Sequence, residues 1–593
     1  MENLHDIDRN AMLTPDVGAA GYPFESGIFG VNAEITRKAF FSGLSAQMLN
    51  NRKLYMGQDA VDGWECEGFE RVTDRPQESL CGSHFIILRD GGRMTQSSYV
   101  IALQSGVAYE AKVWVKALSE TADVTFGVAG LEQTVTVSAD GAPYRELSFV
   151  FDGVDVEEGS FSVRATGEVA VYEVSLMPVE HFHGMRWDVI EQLRRVAPTA
   201  IRFPGGCAAD HFDWKESLKA PEFRKPADGT SKAWFLFRDS YHQDSLDIGL
   251  NEFILLCREL GAEPEFTVSL ILSDGEDARR LVEYCNGSED TEYGAKRRAL
   301  GLDPFGIHLW FVGNEAYFFG GEYQSSVAAA RRTNELVEAM RSADDSIAVA
   351  IGLTWGYGFR DWAREFMENL TCTFEYVSYH DYIGILPDAT QGRNGMATCE
   401  MLEDNFADGE CFGLNFYRNE LYARCFDDIH ICVDEWNYTW GMDSNNALFF
   451  SNALQFHFLA KSKEAYHIDR AEFFLPVNEG MITVRGNLCR MESSGEMFRL
   501  MAAHKGGRVI PCAAEGGYLD ILCTDHGDHL FLSVVNRKAE ACGLTFEGYD
   551  ASEMTEIHTG EYSFENNDFV LEYPDEPTVH GHSVLFLTLR SAN

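Results

Sequence analysis

The alternation of apolar and polar residues divides the chain into segments of two kinds. In the first kind, short stretches alternate with a period of two and are separated by Gly, Asp and Ser. This pattern is typical of strands with one buried face, and closely spaced strands of this kind predict a β-sandwich. The pattern occupies residues 56–180 and again residues 491–593. We therefore predict two β-sandwich domains.

Residues 181–490, between these segments, combine short apolar runs with stretches whose apolar residues recur every three or four positions. Such a recurrence is typical of amphipathic helices. The apolar runs predict strands at 199–206, 263–271, 307–315, 346–355, 374–382, 429–437 and 471–478. The periodic stretches predict helices at 245–260, 276–286, 325–342, 359–369, 412–426 and 446–464.

An eighth strand is predicted at 26–35, followed by a helix at 43–51, within an N-terminal segment of residues 1–55. Eight parallel strands with intervening helices close into a (β/α)8 TIM barrel. The first sandwich is then an insertion after the first barrel unit, and the fold class is multidomain, α/β plus all-β. An open doubly wound sheet is the alternative, but the Gly-rich phosphate turn expected after its first strand is missing.

The charge balance narrows the choice of partners. The chain has 48 Lys and Arg against 93 Asp and Glu, a formal net charge of −45. Affinity for nucleic acids and anionic membranes comes mainly from cationic groups, so neither is an expected partner. A neutral ligand such as a small oligosaccharide or glycoside is compatible with this charge.

The sequence favours a cytoplasmic location. The first residues lack the basic segment and apolar core of a secretory signal. No apolar run approaches the roughly 20 residues that span a bilayer. The 14 Cys are scattered without a CxxC pair, as is typical of thiols in a reducing compartment.

Two glutamates follow predicted strands on opposite sides of the barrel. Glu315 ends the fourth strand beside Asn314, and Glu435 ends the seventh. Active sites of such barrels lie at the carboxyl ends of the strands, and glycosidic hydrolysis needs one carboxylic acid and one carboxylate. We therefore predict a glycosidase site. The alternative is that each glutamate caps a helix or pairs with an arginine.

Other strand ends offer groups that can bind a sugar. Hydrogen-bonding candidates are Glu34, Arg202, His380, Tyr382 and Asn478, and stacking candidates are Trp214, Trp355, Trp436 and Trp440. The alternative for each tryptophan is packing in the core, and the alternative for His380 is a structural role. The motifs HExxH, GxSxG and GxxxxGK[ST] are missing. His181 and His183 lack a clear partner and a calcium loop at 152–158 is not favoured, so neither a metal nor a cofactor is expected.

The stretches GIFGVNAEI, IRFPGGCAADHFDWKESL, LWFVGNEAY, YHDY and VDEWN occur in an order that resembles glycoside hydrolase family 51, the α-L-arabinofuranosidases. The resemblance covers most of the chain and is closest to the branch with an inserted carbohydrate-binding-like module. It implies a retaining, exo-acting α-L-arabinofuranosidase that works by double displacement without a cofactor. A homo-oligomer is possible by the same analogy.

The resemblance also assigns roles to residues. It implies that Glu315 is the general acid/base and Glu435 the nucleophile. Residues implied to bind substrate are Glu34, Arg202, Cys207, Asn314, His380, Tyr382, Trp436 and Asn478.

Two positions depart from the family pattern. Cys207 stands where many bacterial members have Asn, and Leu475 stands where they have Gln; both amides contact the sugar in those members. The alternatives are therefore the same mechanism on a β-D-xyloside, β-D-glucoside or β-D-galactofuranoside, or a non-catalytic carbohydrate-binding protein.

Overall fold

The computed structural model describes most of the chain. The described residues are 10–55, 61–226, 245–319, 321–353, 359–382, 420–421, 423–424, 428–438, 448–515, 519–560 and 568–592. No helix among them is long and apolar enough to cross a membrane.

Eight parallel strands form a closed barrel, as the sequence predicted. We number them β1 to β8: Gly30–Asn32, Ala200–Phe203, Glu263–Val268, Leu309–Val312, Ala348–Gly352, Tyr376–Tyr382, His430–Asn437 and Ile468–Phe473. Each strand pairs with the next, and β8 pairs with β1 to complete the ring. The carboxyl ends of all eight strands therefore meet at one mouth.

The described helices are Trp187–Val196, Leu250–Leu260, Gly275–Asn286, Glu292–Ala299, Ala316–Phe319, Ser326–Ala343, Arg360–Glu368, Leu448–Lys461, Lys463–Tyr466 and Ser493–Met501. The helix predicted from residue 245 begins only at Leu250. Leu246 has a left-handed backbone with φ of 57°, and the Gly249 amide donates to Glu252 at 2.8 Å to start the helix. Most of the helix predicted at 412–426 lies outside the described residues.

The helix predicted at 43–51 is wrong. Residues 45–49 are non-helical and buried, and the Met48 amide donates to the carbonyl of Leu176 at 3.0 Å. The Gln47 side chain donates to Ser175 at 2.9 Å. Because the segment packs against a neighbouring strand, tertiary contacts override its helical pattern. The helix that precedes β2 is Trp187–Val196, so the insertion falls between β1 and that helix.

The inserted segment is all-β, as predicted. Its strands are Glu65–Val72, Phe85–Ser98, Ala108–Ala117, Thr121–Val128, Leu131–Ser138, Arg145–Asp152, Gly159–Thr166 and Val169–Pro178. The long strand Phe85–Ser98 pairs with Val169–Pro178 through its first residues and with Gly159–Thr166 through its last. Phe85–Ser98 thus joins two parts of the inserted segment, and both parts contribute to one apolar core. The exact domain limits stay a prediction.

Two sheets that include the end of the chain pack beside the barrel. One contains Tyr22–Pro23, Arg508–Val509, Leu519–Asp525, Leu530–Asn536, Tyr549–Thr559, Phe569–Glu572 and Val584–Ser591. The other contains Asn10–Pro15, Cys512–Glu515, Cys542–Phe546 and Thr578–Val579. Residues from the start of the chain therefore complete both sheets, which the sequence analysis did not predict. The hairpin Ile482–Arg485 and Leu488–Met491 follows β8.

A series of hydrogen bonds between buried side chains joins the barrel to these sheets. His457, on helix Leu448–Lys461, contacts Asp520 and the Ser533 hydroxyl, each at 2.7 Å. His504 contacts the same hydroxyl at 2.8 Å and Thr524 at 2.9 Å. Both histidines are fully buried.

Candidate active site

The two predicted glutamates meet at the carboxyl ends of β4 and β7. His380, on β6, lies between them: its Nδ1 is 2.8 Å from Glu315 Oε1 and 3.4 Å from Glu435 Oε2. These three side chains each place one polar atom within 4.8 Å of the other two. The arrangement unites two carboxyl groups and an imidazole at the mouth of the barrel.

Irregular strand pairing explains how β7 points two adjacent acids into the barrel. Its register with β8 shifts between Val433 and Trp436, and β6 and β7 shift between Ser378 and His380. Such bulges re-aim side chains that regular alternation would send to opposite faces. As a result Asp434 and Glu435 both contact Arg202.

Glu435 is almost entirely buried and surrounded by donors. The Tyr382 hydroxyl donates to Oε2 at 2.7 Å, and Arg202 donates to Oε1 at 3.1 Å. Burial raises the pKa of Glu435 and nearby Glu315 adds to the rise, while His380 and Arg202 counteract it. These donors favour the ionised carboxylate in a site that burial would otherwise neutralise.

Arg202 holds several site residues together from below. Besides Glu435, its guanidinium donates to Asn314 Oδ1 at 2.8 Å and lies 3.0 Å from Asp434. The group is fully buried and sits 4.7 Å from the centre of the Phe311 ring. Sequence reasoning missed Asp434, although this carboxylate directly precedes Glu435.

The surroundings of His380 favour its charged form. Burial alone would lower the pKa of His380, but the carboxylates of Glu435 and Asp434 raise it well above its usual value. Asp434 lies 3.6 Å from Nε2, on the ring edge opposite Glu315. The imidazolium thus supplies positive charge between the two candidate catalytic acids.

The paired glycines after β2 let the backbone approach the acids. Gly205 has φ of 104°, and a Cβ there would lie 2.2 Å from Glu34 Cα. A Cβ on Gly206 would lie 2.1 Å from Glu435 Oε1. Any side chain at either position would therefore displace a carboxylate of the site.

Glu34 and Cys207 line the same mouth. Glu34 accepts a hydrogen bond from the Ala208 amide at 2.9 Å, and burial together with the Glu435 charge raises the pKa of Glu34 to about 7. Cys207 Sγ is 3.5 Å from Glu315 Oε2 and 3.4 Å from Asn314 Nδ2. Burial and the Glu315 charge raise the pKa of the Cys207 thiol well above its usual value.

Comparison with known proteins relates part of the barrel to a known family. Residues 192–383, which include β2 to β6 and Glu315, match the model of the alpha-L-arabinofuranosidase 1 domain. This part of the chain is similar to the α-L-arabinofuranosidases.

Individual α-L-arabinofuranosidases are similar to longer parts of the chain. Alpha-L-arabinofuranosidase 2 from Arabidopsis thaliana is 24% identical over 402 residues, covering 58% of this chain and 58% of the relative. The intracellular exo-alpha-(1->5)-L-arabinofuranosidase 1 from Bacillus subtilis (strain 168) is 26% identical over 262 residues, covering 43% and 49%. The chain thus spans less than two thirds of the length of these curated relatives.

A solved structure supports the same fold. The arabinose-bound MgGH51 α-L-arabinofuranosidase superimposes with a TM-score of 0.73 at 16% identity, covering 98% of this chain and 100% of that chain. Together with the domain match and the relatives, this structure confirms the predicted resemblance to glycoside hydrolase family 51.

An ion pair that the sequence analysis did not predict borders this site. Arg37 is bonded to Glu479 and lies 5.0 Å from the centre of the Phe474 ring. Its charge favours ionisation of Glu34 and so opposes part of the rise in the pKa of Glu34 that burial and Glu435 cause. Arg37 follows β1 closely in sequence, which is the signal that could have identified it.

Some predicted site residues lie elsewhere. Trp436 is fully buried, with its ring centre 5.1 Å from that of Phe473, on the outer side of β7. Asn478 donates to the carbonyl of Lys38 at 2.7 Å and accepts from the Val484 amide at 2.7 Å, so it braces loops beside the barrel. Trp214 packs against tyrosines in the core, Leu475 is fully buried, and Trp355 and Trp440 lie outside the described residues.

Proposed function

We propose that the protein is a retaining, exo-acting α-L-arabinofuranosidase that releases terminal arabinofuranosyl residues from short oligosaccharides or glycosides. The observation that carries this proposal is the pair Glu315 and Glu435, close together at the barrel mouth and bridged by His380. The family match and the names of the relatives support the arabinofuranosyl group.

The closeness of the two acids favours the retaining course. One oxygen of each lies within 4.8 Å of the other. Inverting glycosidases separate the two groups by about 6.5 to 9.5 Å to accommodate a water molecule, whereas retaining enzymes bring them to about 5 to 5.5 Å. A direct attack by Glu435 fits the shorter separation.

In the first step, Glu435 attacks the anomeric carbon while Glu315 donates its proton to the leaving oxygen. This breaks the glycosidic bond and leaves a covalent glycosyl ester on Glu435. In the second step, Glu315 removes a proton from water, the resulting hydroxide attacks the anomeric carbon, and Glu435 departs as the carboxylate. Two inversions give a product with retained configuration.

The surrounding residues hold these groups in place and bind the sugar. Tyr382 and Arg202 orient the attacking carboxylate of Glu435. Asn314, Glu34 and Cys207 present polar atoms that face the sugar hydroxyls. We further propose that the enzyme acts inside the cell, which the acidic composition and the intracellular relative from Bacillus subtilis support. A homo-oligomer stays a prediction.

Hydrolysis of 4-nitrophenyl α-L-arabinofuranoside tests this proposal. We expect Glu435→Ala to lose at least about 10⁴-fold in kcat, and Glu315→Ala to lose about 10² to 10⁴-fold. Glu292→Ala, on an exposed helix far from the barrel mouth, is the matched control and should keep full activity. Turnover of only the β-D-xyloside, β-D-glucoside or β-D-galactofuranoside would contradict the arabinofuranosyl assignment, and binding without any turnover would contradict catalysis.

Azide separates the two roles. Azide added to Glu435→Ala should give a glycosyl azide of inverted configuration, because the small anion replaces the missing nucleophile. Azide added to Glu315→Ala should give the retained configuration, because it attacks the glycosyl ester on Glu435. Nuclear magnetic resonance of the products distinguishes these outcomes, and the reverse pattern would exchange the two roles.

A further inference from the structure

Two cysteines in the sheets at the end of the chain lie in direct contact. Cys512 begins the strand Cys512–Glu515, and Cys523 lies on Leu519–Asp525 of the other sheet. Both are free thiols, and they are hydrogen-bonded to each other. The Ile510 amide donates to the Cys523 carbonyl at 3.1 Å and holds the two segments together beside the pair. The sulfur atoms therefore need only a small movement to reach the bond length of a disulfide, about 2.05 Å.

The contacts of the pair make Cys512 the more nucleophilic thiol. Its sulfur accepts hydrogen bonds from the Cys523 thiol and from the Thr14 amide, on the strand Asn10–Pro15. The bond from Cys523 lowers the pKa of Cys512, although burial opposes this change. The same bond, together with burial, raises the pKa of Cys523. Because the thiolate is the reactive form of cysteine, Cys512 is the attacking thiol and Cys523 its partner.

No other described cysteine combines partial exposure with a lowered pKa. Cys512 is partly exposed, whereas Cys523 is buried. Burial raises the pKa of the other partly exposed cysteines, which are Cys66, Cys207, Cys372 and Cys489. Among the described thiols, Cys512 is therefore the one most readily oxidised at neutral pH.

A cavity gives small molecules access to the pair. It has a volume of about 650 Å³, and its lining includes both cysteines together with Tyr22, Lys461 and Asp520. Hydrogen peroxide is small and uncharged, so it fits this space without displacing protein groups. An accessible, reactive thiol beside a second thiol is the arrangement found in redox-sensitive cysteine pairs.

We propose that Cys512 and Cys523 form a reversible disulfide when the protein meets hydrogen peroxide. The Cys512 thiolate attacks one peroxide oxygen and becomes a sulfenic acid, while the O–O bond breaks and hydroxide leaves, taking up the proton that Cys512 released. The Cys523 sulfur then attacks the Cys512 sulfur, and the sulfenic oxygen leaves as water with the Cys523 proton. Two thiols are thus oxidised and one peroxide is reduced to two molecules of water. The proposal does not depend on the glycosidase function.

The disulfide fastens an edge strand. Cys512–Glu515 lies at the edge of its sheet, and Asn10–Pro15 is its neighbour inside that sheet. A bond to Cys523 ties this edge to the other sheet and closes a loop over residues 513–522. Such a cross-link restricts the unfolded chain and so stabilises the folded sheets.

Mass spectrometry after peroxide treatment tests the modification. The full chain is reduced, freed of reductant, exposed to hydrogen peroxide and then treated with N-ethylmaleimide. We expect peptides joined through Cys512 and Cys523, a loss of two of the 14 thiols, and full recovery with dithiothreitol. Cys489→Ser, which removes a partly exposed thiol of raised pKa, is the matched control and should keep the cross-link. Faster oxidation of another cysteine, or a sulfinic acid at Cys512 without the cross-link, would overturn the proposal.

Single variants assign the order of the two thiols. Dimedone, which reacts with sulfenic acids, should label Cys512 in Cys523→Ser, because the intermediate then lacks its partner. It should leave Cys523 unlabelled in Cys512→Ser, because Cys523 is buried and its pKa is raised. Labelling of Cys523 with none of Cys512 would overturn the role of Cys512 as the attacking thiol.

Thermal unfolding measures the effect of the cross-link. Oxidation should raise the Tm of the sheets at the end of the chain by at least about 2 °C, and reduction should reverse the rise. Neither Cys512→Ser nor Cys523→Ser should show this change. An equal rise in the two variants would assign the stabilisation to other groups and overturn the proposed effect of the disulfide.

Discussion

Asp434 lies against the ring edge of His380 that faces away from Glu315, with 3.6 Å between Oδ2 and Nε2. Burial favours a neutral Asp434, but Arg202 and His380 hold the pKa of Asp434 below its usual value. The Asp434 carboxylate therefore favours the charged form of His380, which lies between Glu315 and Glu435. Asp434 is a positioning residue, because it acts through His380 and Arg202.

Asp434→Asn should lower the pKa of His380. His380 is charged below its raised pKa, so the loss of its acidic partner removes the charged form at a lower pH than before. We expect the basic limb of the pH profile of kcat/KM to move to lower pH, with a loss of about 10 to 100-fold at neutral pH. Asp381→Asn is the control. Asp381 lies next to His380 on β6 but is bonded to Gln455, so this variant should leave the basic limb in place. A uniform loss of activity with unmoved limbs would indicate only a structural role.

Tyr382→Phe should weaken the ionised form of Glu435. The variant loses the 2.7 Å hydrogen bond to Oε2, and hydrogen bonds to charged groups contribute about 1.5 to 3 kcal/mol. Without this donor the pKa of Glu435 rises further, so the acid limb of kcat/KM moves to higher pH and kcat falls about 10 to 100-fold. Tyr376→Phe, on the same strand, serves as the control. An unmoved acid limb would show that Tyr382 does not stabilise the charge.

Arg52→Met should destabilise the junction between the insertion and the barrel. Arg52 is buried, donates to Glu173 at 2.8 Å and also pairs with Asp247. Removing one partner of a buried ion cluster leaves its other charges uncompensated, at a cost of about 3 to 5 kcal/mol in the free energy of unfolding. Urea unfolding measures this change. Arg93→Met, from the exposed pair with Glu67, should have little effect, and equal losses would refute the importance of burial.

The joint between the barrel and the sheets at the end of the chain should weaken in acid. Burial lowers the pKa of His457, and burial lowers the pKa of His504 well below its usual value. Unfolding lets both histidines take up protons below pH 6.5, so stability is complete above this pH and falls as the pH decreases. We expect a loss of about 1 kcal/mol per histidine for each pH unit below it.

Urea unfolding of His504→Gln between pH 7 and 5.5 tests this expectation. The variant cannot take up the proton, so its free energy of unfolding should depend less steeply on pH than that of the unmodified protein. His529→Asn, at a partly exposed position, should keep the original slope. A slope that is unchanged in His504→Gln would assign the acid sensitivity to other groups.

The barrel strands and the two glutamates were predictable because each strand is a short apolar run that ends in polar residues. Asp434 was not, since regular alternation would send it and Glu435 to opposite faces, and the bulge that turns both inward leaves no local pattern. Trp436 was named as a sugar-stacking candidate because it directly follows Glu435 at the end of an apolar run. The segment 43–51 has a helical pattern of apolar residues, but its packing against Val169–Pro178 favours a non-helical conformation.

The pairing of Asn10–Pro15 with strands near residue 500 and beyond could also not be predicted from local patterns. Asn10–Pro15 alternates exposed and buried residues like many strands, but its partners, Cys512–Glu515 and Cys542–Phe546, are almost the whole chain away. Hydrophobic periodicity indicates that a strand forms and does not indicate which strand it pairs with.

This pairing has a consequence for synthesis on the ribosome. Asn10–Pro15 lies between its two partners inside the sheet, yet it leaves the ribosome before the inserted strands and the barrel, and its partners leave after them. The backbone N–H and C=O groups of Asn10–Pro15 therefore lack their final hydrogen-bond partners while the inserted strands and the barrel are made. A nascent chain released before Cys512–Glu515 and Cys542–Phe546 are made would therefore carry Asn10–Pro15 as a strand without its partners.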